Sequence, residues 1–457
     1  MDEYDVIVAG GGNAGMCAAL SACDAGARVL LAERSPRWRR GGNSRHTRDI
    51  RYAHIGPDRW APTPYPPAEF LADLRAVTDE LARPELAELL VDESQTLPAW
   101  MEAHGIRWQS ALRGTLHLDT NRFFLGGGKT MMNSYYEAAL RRGVDIAYET
   151  SVIDLELSHD RCVGVRLECG GRERTETARA VVVASGGLEA NHSWLERTWG
   201  AGAASFIVRG TPDNDGTLLL SLLERGAAPA GSELFHCIAV DARAPRFDGG
   251  IVTRVDSIPF GIVVNAEGHR FYDEGEDAWP KRYAQWGHLI AQQPDQIAYS
   301  IFDSQSRDLF IPPLYPSLQS DSLEQLAHTL GLDVSTFMLT VETFNQAVDD
   351  RRPFDPNRLD GRATTGIEPH RSNWARALEH PPYHAYPVRP GLTFTYAGVM
   401  VDETARILRS DGAPYANVFA AGETMAGNIL TRGYLAGVGL TIGSVFGRIA
   451  GREATGA

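Results

Sequence analysis

The chain has 457 residues, 43% of them hydrophobic and 22% charged, the balance of a globular protein large enough for more than one core. Its formal net charge of −14 argues against a nucleic-acid partner, which needs a basic face. Five cysteines without a C-x-x-C spacing indicate neither a disulfide framework nor a zinc site and suit a reducing cytoplasm, where the chain is expected to reside.

The acidic start Met1-Asp-Glu-Tyr runs directly into a strand, and no signal peptide fits there. Val6, Ile7 and Val8 read as that short buried strand, and Gly10, Gly12 and Gly15 supply a G-x-G-x-x-G turn. Met16 to Ala25 then form a helix of small residues. In such a turn the first glycine permits the bend, the second lets backbone approach a pyrophosphate, and the third lets helix pack on strand. The helix N-terminus favours the negative charge of phosphates. Val29 to Ala32 is the next strand, and Glu33 at its end lies 33 − 15 = 18 residues past the last glycine, where an acid accepts hydrogen bonds from a ribose. Strand, turn, helix, strand and acid in register predict a dinucleotide site.

Arg34 to Arg51 is rich in arginine and centred on Gly41-Gly-Asn-Ser-Arg-His-Thr47, a loop able to approach a ring system closely or to stand solvated. Pro57 to Pro67 reads as a surface crossing. Phe70 to Val77 and Leu86 to His104 have helical spacing, with Gly105 as a stop. Gly126-Gly-Gly-Lys-Thr130 starts a helix over 131–141, but Phe123 stands where a phosphate loop needs its first glycine, which excludes an NTPase reading. Asp145 to Val165 reads as strand, turn and strand, and Arg179 to Ala184 as a buried strand ending in Ser185-Gly-Gly187. Asp215 is placed to cap a helix over 217–224.

From about Gly231 to Arg362 prolines, aromatics and short strands replace this texture, which suggests an inserted domain. Its strands are expected at 262–265 and 296–302, and its helices at 323–330 and 334–348. Strands at 398–402 and 418–423 and a glycine-studded helix then return to the first texture. The stretch Leu435 to Ala450 is too short and too glycine-rich to span a membrane.

The first fingerprint, Ala184-Ser-Gly-Gly187 and Asn417-Val-Phe-Ala-Ala-Gly-Glu423 together resemble the two-part FAD fingerprint of the fumarate reductase/succinate dehydrogenase flavoprotein superfamily. Longer strings, Arg40-Gly-Gly-Asn-Ser-Arg-His-Thr-Arg48, Phe124-Leu-Gly-Gly-Gly-Lys129, the run from Arg270 to Tyr283 and Gly391-Leu-Thr-Phe-Thr-Tyr396, resemble its tricarballylate dehydrogenase branch. The resemblance implies an α/β fold, with a doubly wound (Rossmann-like) FAD-binding domain and an inserted α+β capping domain. The expected boundaries are 1–230 for the first part of the FAD domain (with a helical insert at about 68–105), 231–365 for the cap and 366–457 for the second part. Besides Gly10, Gly12, Gly15 and Glu33, it places Asn13, Ala14, Arg34, Gly42, Asn43, Ser44, Val152, Ala184, Ser185, Gly186, Asp215, Gly422, Glu423, Gly437 and Val438 at FAD. Succinate dehydrogenases attach FAD through a histidine in the loop that holds His46, but counting back puts theirs nearer Ser44, so non-covalent FAD is expected.

The activity implied is oxidation of a saturated C–C bond in a small polycarboxylate, as in tricarballylate to cis-aconitate. A hydride goes to flavin N5 and a proton to a side-chain relay. By resemblance Arg432 clamps a carboxylate and His236 binds substrate. Glu274 matches the relay glutamate, and Arg307 the proton-transfer arginine. Phe394 stands where the family's reductases have a second histidine, which leaves Thr393, Thr395 or Tyr396 to serve. Near Glu274 the nearest cations for the relay are Lys281 and Arg282. A free arginine is not deprotonated, so if Arg307 only clamps substrate, Glu274, His236 or Tyr396 becomes the base. No metal is expected. The implied partner is a separate electron-acceptor protein, membrane-associated in the family. Rival readings are a fumarate-reductase-like enzyme, a ketosteroid-type flavin desaturase and a flavin-containing RNA-modification factor.

Overall fold

Runs of β-branched residues at 6–8 and 181–183 are buried on both faces, the composition of central strands in a parallel sheet. In the computed structural model, which describes residues 4–57, 59–112, 114, 116 and 120–457, these runs are neighbours. Strand Tyr4–Ala9 lies between Val29–Glu33 and Ala178–Val183. The sheet extends through Asp145–Tyr148 on one side and through Pro414–Ala420 and Arg406–Leu408 on the other. Every pairing is parallel except that of the last two strands. The chain builds outward in one direction first and then in the other, so the order reverses between Tyr4–Ala9 and Ala178–Val183. In a doubly wound sheet, ligands bind at such a switch point, at the carboxyl ends of the strands.

Helices Asn13–Asp24 and Val438–Ala454 pack against each other across the sheet. The glycines at 443, 447 and 451 repeat every fourth residue along one face of the second helix. A methyl group on Gly447 would lie 2.5 Å from the Ala14 carbonyl oxygen, and one on Gly451 2.2 Å from that of Ala18. The stripe therefore lets the two backbones touch and ties the chain's ends together.

A second sheet is built on the long strand Tyr383–Thr395, which pairs with Ile207–Val208, Phe235–Asp241, Ala298–Asp303 and Leu318–Ser320. Ile262–Asn265 completes it. Its side chains alternate: Ile262 and Val264 pack under helices Leu323–Leu330 and Val334–Ala347, and Val263 packs into the opposite cluster with Trp279, Tyr283 and Trp286. Two of its strands, 207–208 and 383–395, lie outside the 231–365 limits expected for the cap. Sheet pairing joins residues remote in sequence, which a change of composition does not report.

The helical insert comprises Pro67–Thr78, Pro84–Ser94 and Leu97–Ala103. One helix over 86–104 was expected, but it breaks at Gln95-Thr96, just before Pro98, a residue that fits only the first turn of a helix. The strand expected at 398–402 shortens to Gly398–Val399.

Candidate active site

A continuous groove runs from the carboxyl ends of the central strands to the inner face of the second sheet. Gly10 has φ +104°, and a methyl group there would lie 2.4 Å from the Ala184 carbonyl oxygen, so only glycine fits. A methyl on Gly12, by contrast, would meet nothing nearer than Ser44 Oγ at 3.6 Å. The fold does not require the second glycine; whatever lies in the groove does. Helix Asn13–Asp24 starts there with no side-chain cap and no acid in its first turn, and Val438–Ala454 starts at Gly437 in the same way. Two bare helix N-termini thus face one cavity, a setting that attracts anions. The Asn13 amide nitrogen donates to Ser44 Oγ (3.0 Å), and its side chain donates to Leu440 O (3.1 Å) and Ser444 Oγ (3.0 Å).

At the outer end, Arg34 bridges to Asp215 at 2.7 Å, and Val152 and Glu168 complete the wall. Burial alone would raise the Asp215 carboxyl, but Arg34 and the Thr217 donors outweigh it and hold it below its ordinary range. Glu33 is buried and its oxygens accept from Ser35 N (2.8 Å), Gly41 N (3.1 Å) and Tyr136 Oη (2.9 Å). It anchors the following loop as well as lining the groove, and burial raises its pKa despite these donors. Midway lie two acids. Glu423 accepts from Thr395 N (2.6 Å) and Thr395 Oγ1 (3.0 Å). Glu189 accepts from Asn43 and from Asn214 (2.6 Å). Burial, and the neighbouring Glu189 carboxylate, push Glu423 well above the ordinary carboxyl value.

The inner end is lined by Arg48, Arg209, Arg254, His236, Tyr283 and Tyr434. A register shift between His236 and Cys237, opposite Phe394 in the 383–395 strand, aims His236 into the cavity. Tyr283 Oη is 3.2 Å from His236 Nε2, and Thr393 Oγ1 is 3.3 Å from His236 Nδ1. Burial, then Arg209 and Arg254, depress the His236 pKa far below its usual value, so the ring is neutral. Arg254 pairs with Asp256 at 2.7 Å, and Arg48 lies 3.5 Å from Asp49 and 3.6 Å from Asp256. Arg209 differs. It donates from Nη2 to Thr393 Oγ1 (2.9 Å), its Nε and Nη1 have no partner, and among the described residues no carboxylate lies within ion-pair reach. Burial, reinforced by Arg254, pushes its pKa down to about 10.

The sequence pattern of the FAD binding domain family matches residues 5–440. This chain belongs to that family. It is 27% identical over 99% of its length to the NADH:fumarate oxidoreductase of Klebsiella pneumoniae (strain 342) and to the fumarate reductase (cytochrome) of Shewanella frigidimarina. It spans 48% of the first, about half its length, and 77% of the second. An open flavocytochrome c3 fumarate reductase superposes with a TM-score of 0.77, at 24% identity, over 100% of this chain and 78% of that one. The 3-ketosteroid delta1-dehydrogenase of Sterolibacterium denitrificans does so at 0.78, with 20% identity and full coverage of both chains. The chain is thus an FAD-binding protein, and the relatives it resembles over nearly its whole length are oxidoreductases.

The groove suits FAD. Its glycine turn and two helix N-termini fit a pyrophosphate and an electron-rich ring, and Gly12 leaves room that a side chain would fill. Of the cofactor residues expected from sequence, Gly10, Gly12, Asn13, Ala14, Glu33, Arg34, Gly42, Asn43, Ser44, Val152, Ala184, Ser185, Gly186, Asp215, Gly422, Glu423 and Gly437 line it. Gly15 and Val438 do not. A methyl on Gly15 would lie 1.9 Å from the Gly10 carbonyl oxygen, beneath the turn, and Val438 is fully buried in the core.

The substrate and relay residues divide differently. Of those expected, His236 and Thr393 line the inner cavity. Arg432 is half exposed and pairs with Asp79 of the helical insert at 2.6 Å. Thr395 turns to Glu423 and Leu188, and Tyr396 is buried in the core. Arg307 is exposed after the Ser304–Ser306 turn, and Arg282 pairs with Glu276 at 3.3 Å. Glu274 accepts from Val263 N (2.9 Å) and from Arg270 (2.6 Å), with Arg371 at 3.8 Å, inside the second sheet's packing. Ion pairs, core packing or, for Arg307, exposure at the surface thus keep these groups away from the cavity. In their place stand Arg48, Arg209, Arg254, Tyr283 and Tyr434. Arg48 belongs to a string singled out from sequence, but Arg209 and Arg254 carry no local signal and converge only through the fold.

Proposed function

We propose that the protein oxidises a saturated C–C bond of a small polycarboxylate, tricarballylate to cis-aconitate being the model reaction. Arg209 carries this reading. A buried guanidinium with two idle nitrogens is costly unless a ligand pairs with it, and its planar fork matches a carboxylate. Arg48 and Arg254 line the same inner end and add positive charge that suits further carboxylates, although Asp49 and Asp256 already balance part of it.

FAD, held by the groove without a covalent link, supplies the two-electron acceptor for a hydride. The arginines orient the substrate's carboxylates and stabilise the enolate-like charge that develops beside one of them. Neutral His236, held by Tyr283 and Thr393, adds no competing positive charge. The second sheet and its helices act as the cap, and their packing over the inner end excludes water. The partner this reading implies is a separate electron-transfer protein.

Tyr283, Tyr434 and Phe394 also line the cavity and suit an apolar ring, as a ketosteroid-type desaturase would use. A steroid would leave Arg209 unpaired, which favours the polyacid. Anaerobic mixing of the flavoprotein with di- and tricarboxylates and with a 3-ketosteroid tests the choice. Bleaching of the flavin by tricarballylate is expected; bleaching by the steroid alone rejects the reading.

A further inference from the structure

The proton removed from substrate needs an acceptor at the cavity wall, and Arg307 and Glu274 do not reach that wall. Among the described side chains there, the guanidinium groups stay protonated. Asp49 is occupied by Asn121 (2.9 Å) and Arg48 (3.5 Å). Tyr434 Oη accepts from Gly439 N at 3.1 Å and is committed to the start of the last helix. Tyr283 remains. It is 5% exposed, lines the inner end, and has a partner able to exchange its proton, His236 Nε2 at 3.2 Å. The Arg254 guanidinium lies 4.8 Å from the centre of its ring.

Resting on the polycarboxylate reading, we propose that Tyr283 Oη takes the proton from the substrate carbon while passing its own proton to His236 Nε2. The C–H bond next to a carboxylate breaks, a new O–H bond forms at Tyr283, and the electron pair left behind becomes the double bond as the neighbouring carbon loses its hydride to FAD. His236 becomes an imidazolium, and Thr393 Oγ1 accepts from its Nδ1–H (3.3 Å). The groups facing this pair are Arg48, Arg209, Arg254, Asp49, Tyr434, Tyr396 and His288. Burial, opposed by Arg254 and Arg209, pushes the Tyr283 phenol up to about 12, so it works with a proton to hand on and not as a standing phenolate. The negative charge of the bound polyacid offsets the arginines and makes the imidazolium tolerable.

Tyr283→Phe removes one oxygen and keeps the ring. In the FAD-loaded variant, tricarballylate is expected to perturb the flavin spectrum with a Kd within about threefold of wild type, while bleaching slows about 10²–10⁴-fold, the usual contribution of an acid–base group. In His236→Gln the phenol must ionise beforehand, so the bleaching rate should climb about tenfold per pH unit, where wild type stays flat. Wild-type bleaching by Tyr283→Phe, or its loss in Arg307→Ala alone, overturns the assignment. Absence of any spectral response of wild type to polycarboxylates takes down the wider reading with it.

Discussion

Arg209→Met replaces the unpaired guanidinium by an apolar chain of similar length, and stability and ligand affinity should then move in opposite directions. The arginine's pKa of about 10 lies below an ordinary value above about 12. At about 1.4 kcal/mol per tenfold change in proton affinity, that depression is a penalty of about 3 kcal/mol. A cation with a lowered pKa is penalised at every pH below that value, so the whole penalty acts at neutral pH. With roughly 2 cal/mol/K of unfolding entropy per residue, its removal should raise the melting temperature of the ligand-free protein by about 3 °C. Truncating one partner of a buried charge pair costs about 2–5 kcal/mol, or at least roughly 30-fold in Kd for tricarballylate. Thermal melts and titration of the flavin spectrum read the two effects. A variant that melts lower and binds tricarballylate unchanged would refute the role given to Arg209.

The Glu189–Glu423 pair makes stability depend on pH. Both carboxyls are raised by burial, so the folded state holds more protons than the unfolded one above the ordinary carboxyl range, and stability is lost as pH rises. Glu423→Gln keeps the acceptor for Thr395 and should flatten the fall in melting temperature between about pH 5 and 8, by up to about 1.4 kcal/mol per pH unit for one proton; an unchanged slope counts against a raised Glu423 carboxyl. Two glycines separate fold from cofactor. Gly12→Ala should melt like wild type without FAD yet bind FAD more weakly, whereas Gly10→Ala, with its methyl 2.4 Å from Ala184 O, should lower the melting temperature itself. Wild-type FAD affinity in Gly12→Ala would contradict the placement of the pyrophosphate.

The FAD half of the molecule was largely legible in the sequence because its physics is local. Gly10 acts through its own φ of +104°, Gly15 through its contact with the Gly10 carbonyl in the same turn, and Gly12 by leaving the groove open, and Glu33 follows at the spacing of one strand–helix–strand unit. Helices over 217–224 and 323–330 appear where their apolar spacing puts them. The reacting end was not legible in this way. Arg48, Arg209, Arg254 and Tyr283 come from the loop that follows strand Val29–Glu33, the end of the short strand Ile207–Val208, the end of the 3₁₀ turn Ile251–Thr253 and the start of the 3₁₀ turn Tyr283–Gln285. Similar strings elsewhere end in ion pairs at Glu274 and Arg432 and at the exposed surface at Arg307. Whether an arginine faces solvent, an aspartate or an empty cavity depends on which remote backbone it meets. Sequence therefore determined that the chain holds a dinucleotide, through geometry short enough to encode in a few glycines. Only the tertiary structure decided which charges meet the substrate, because that follows from sheet pairings hundreds of residues apart.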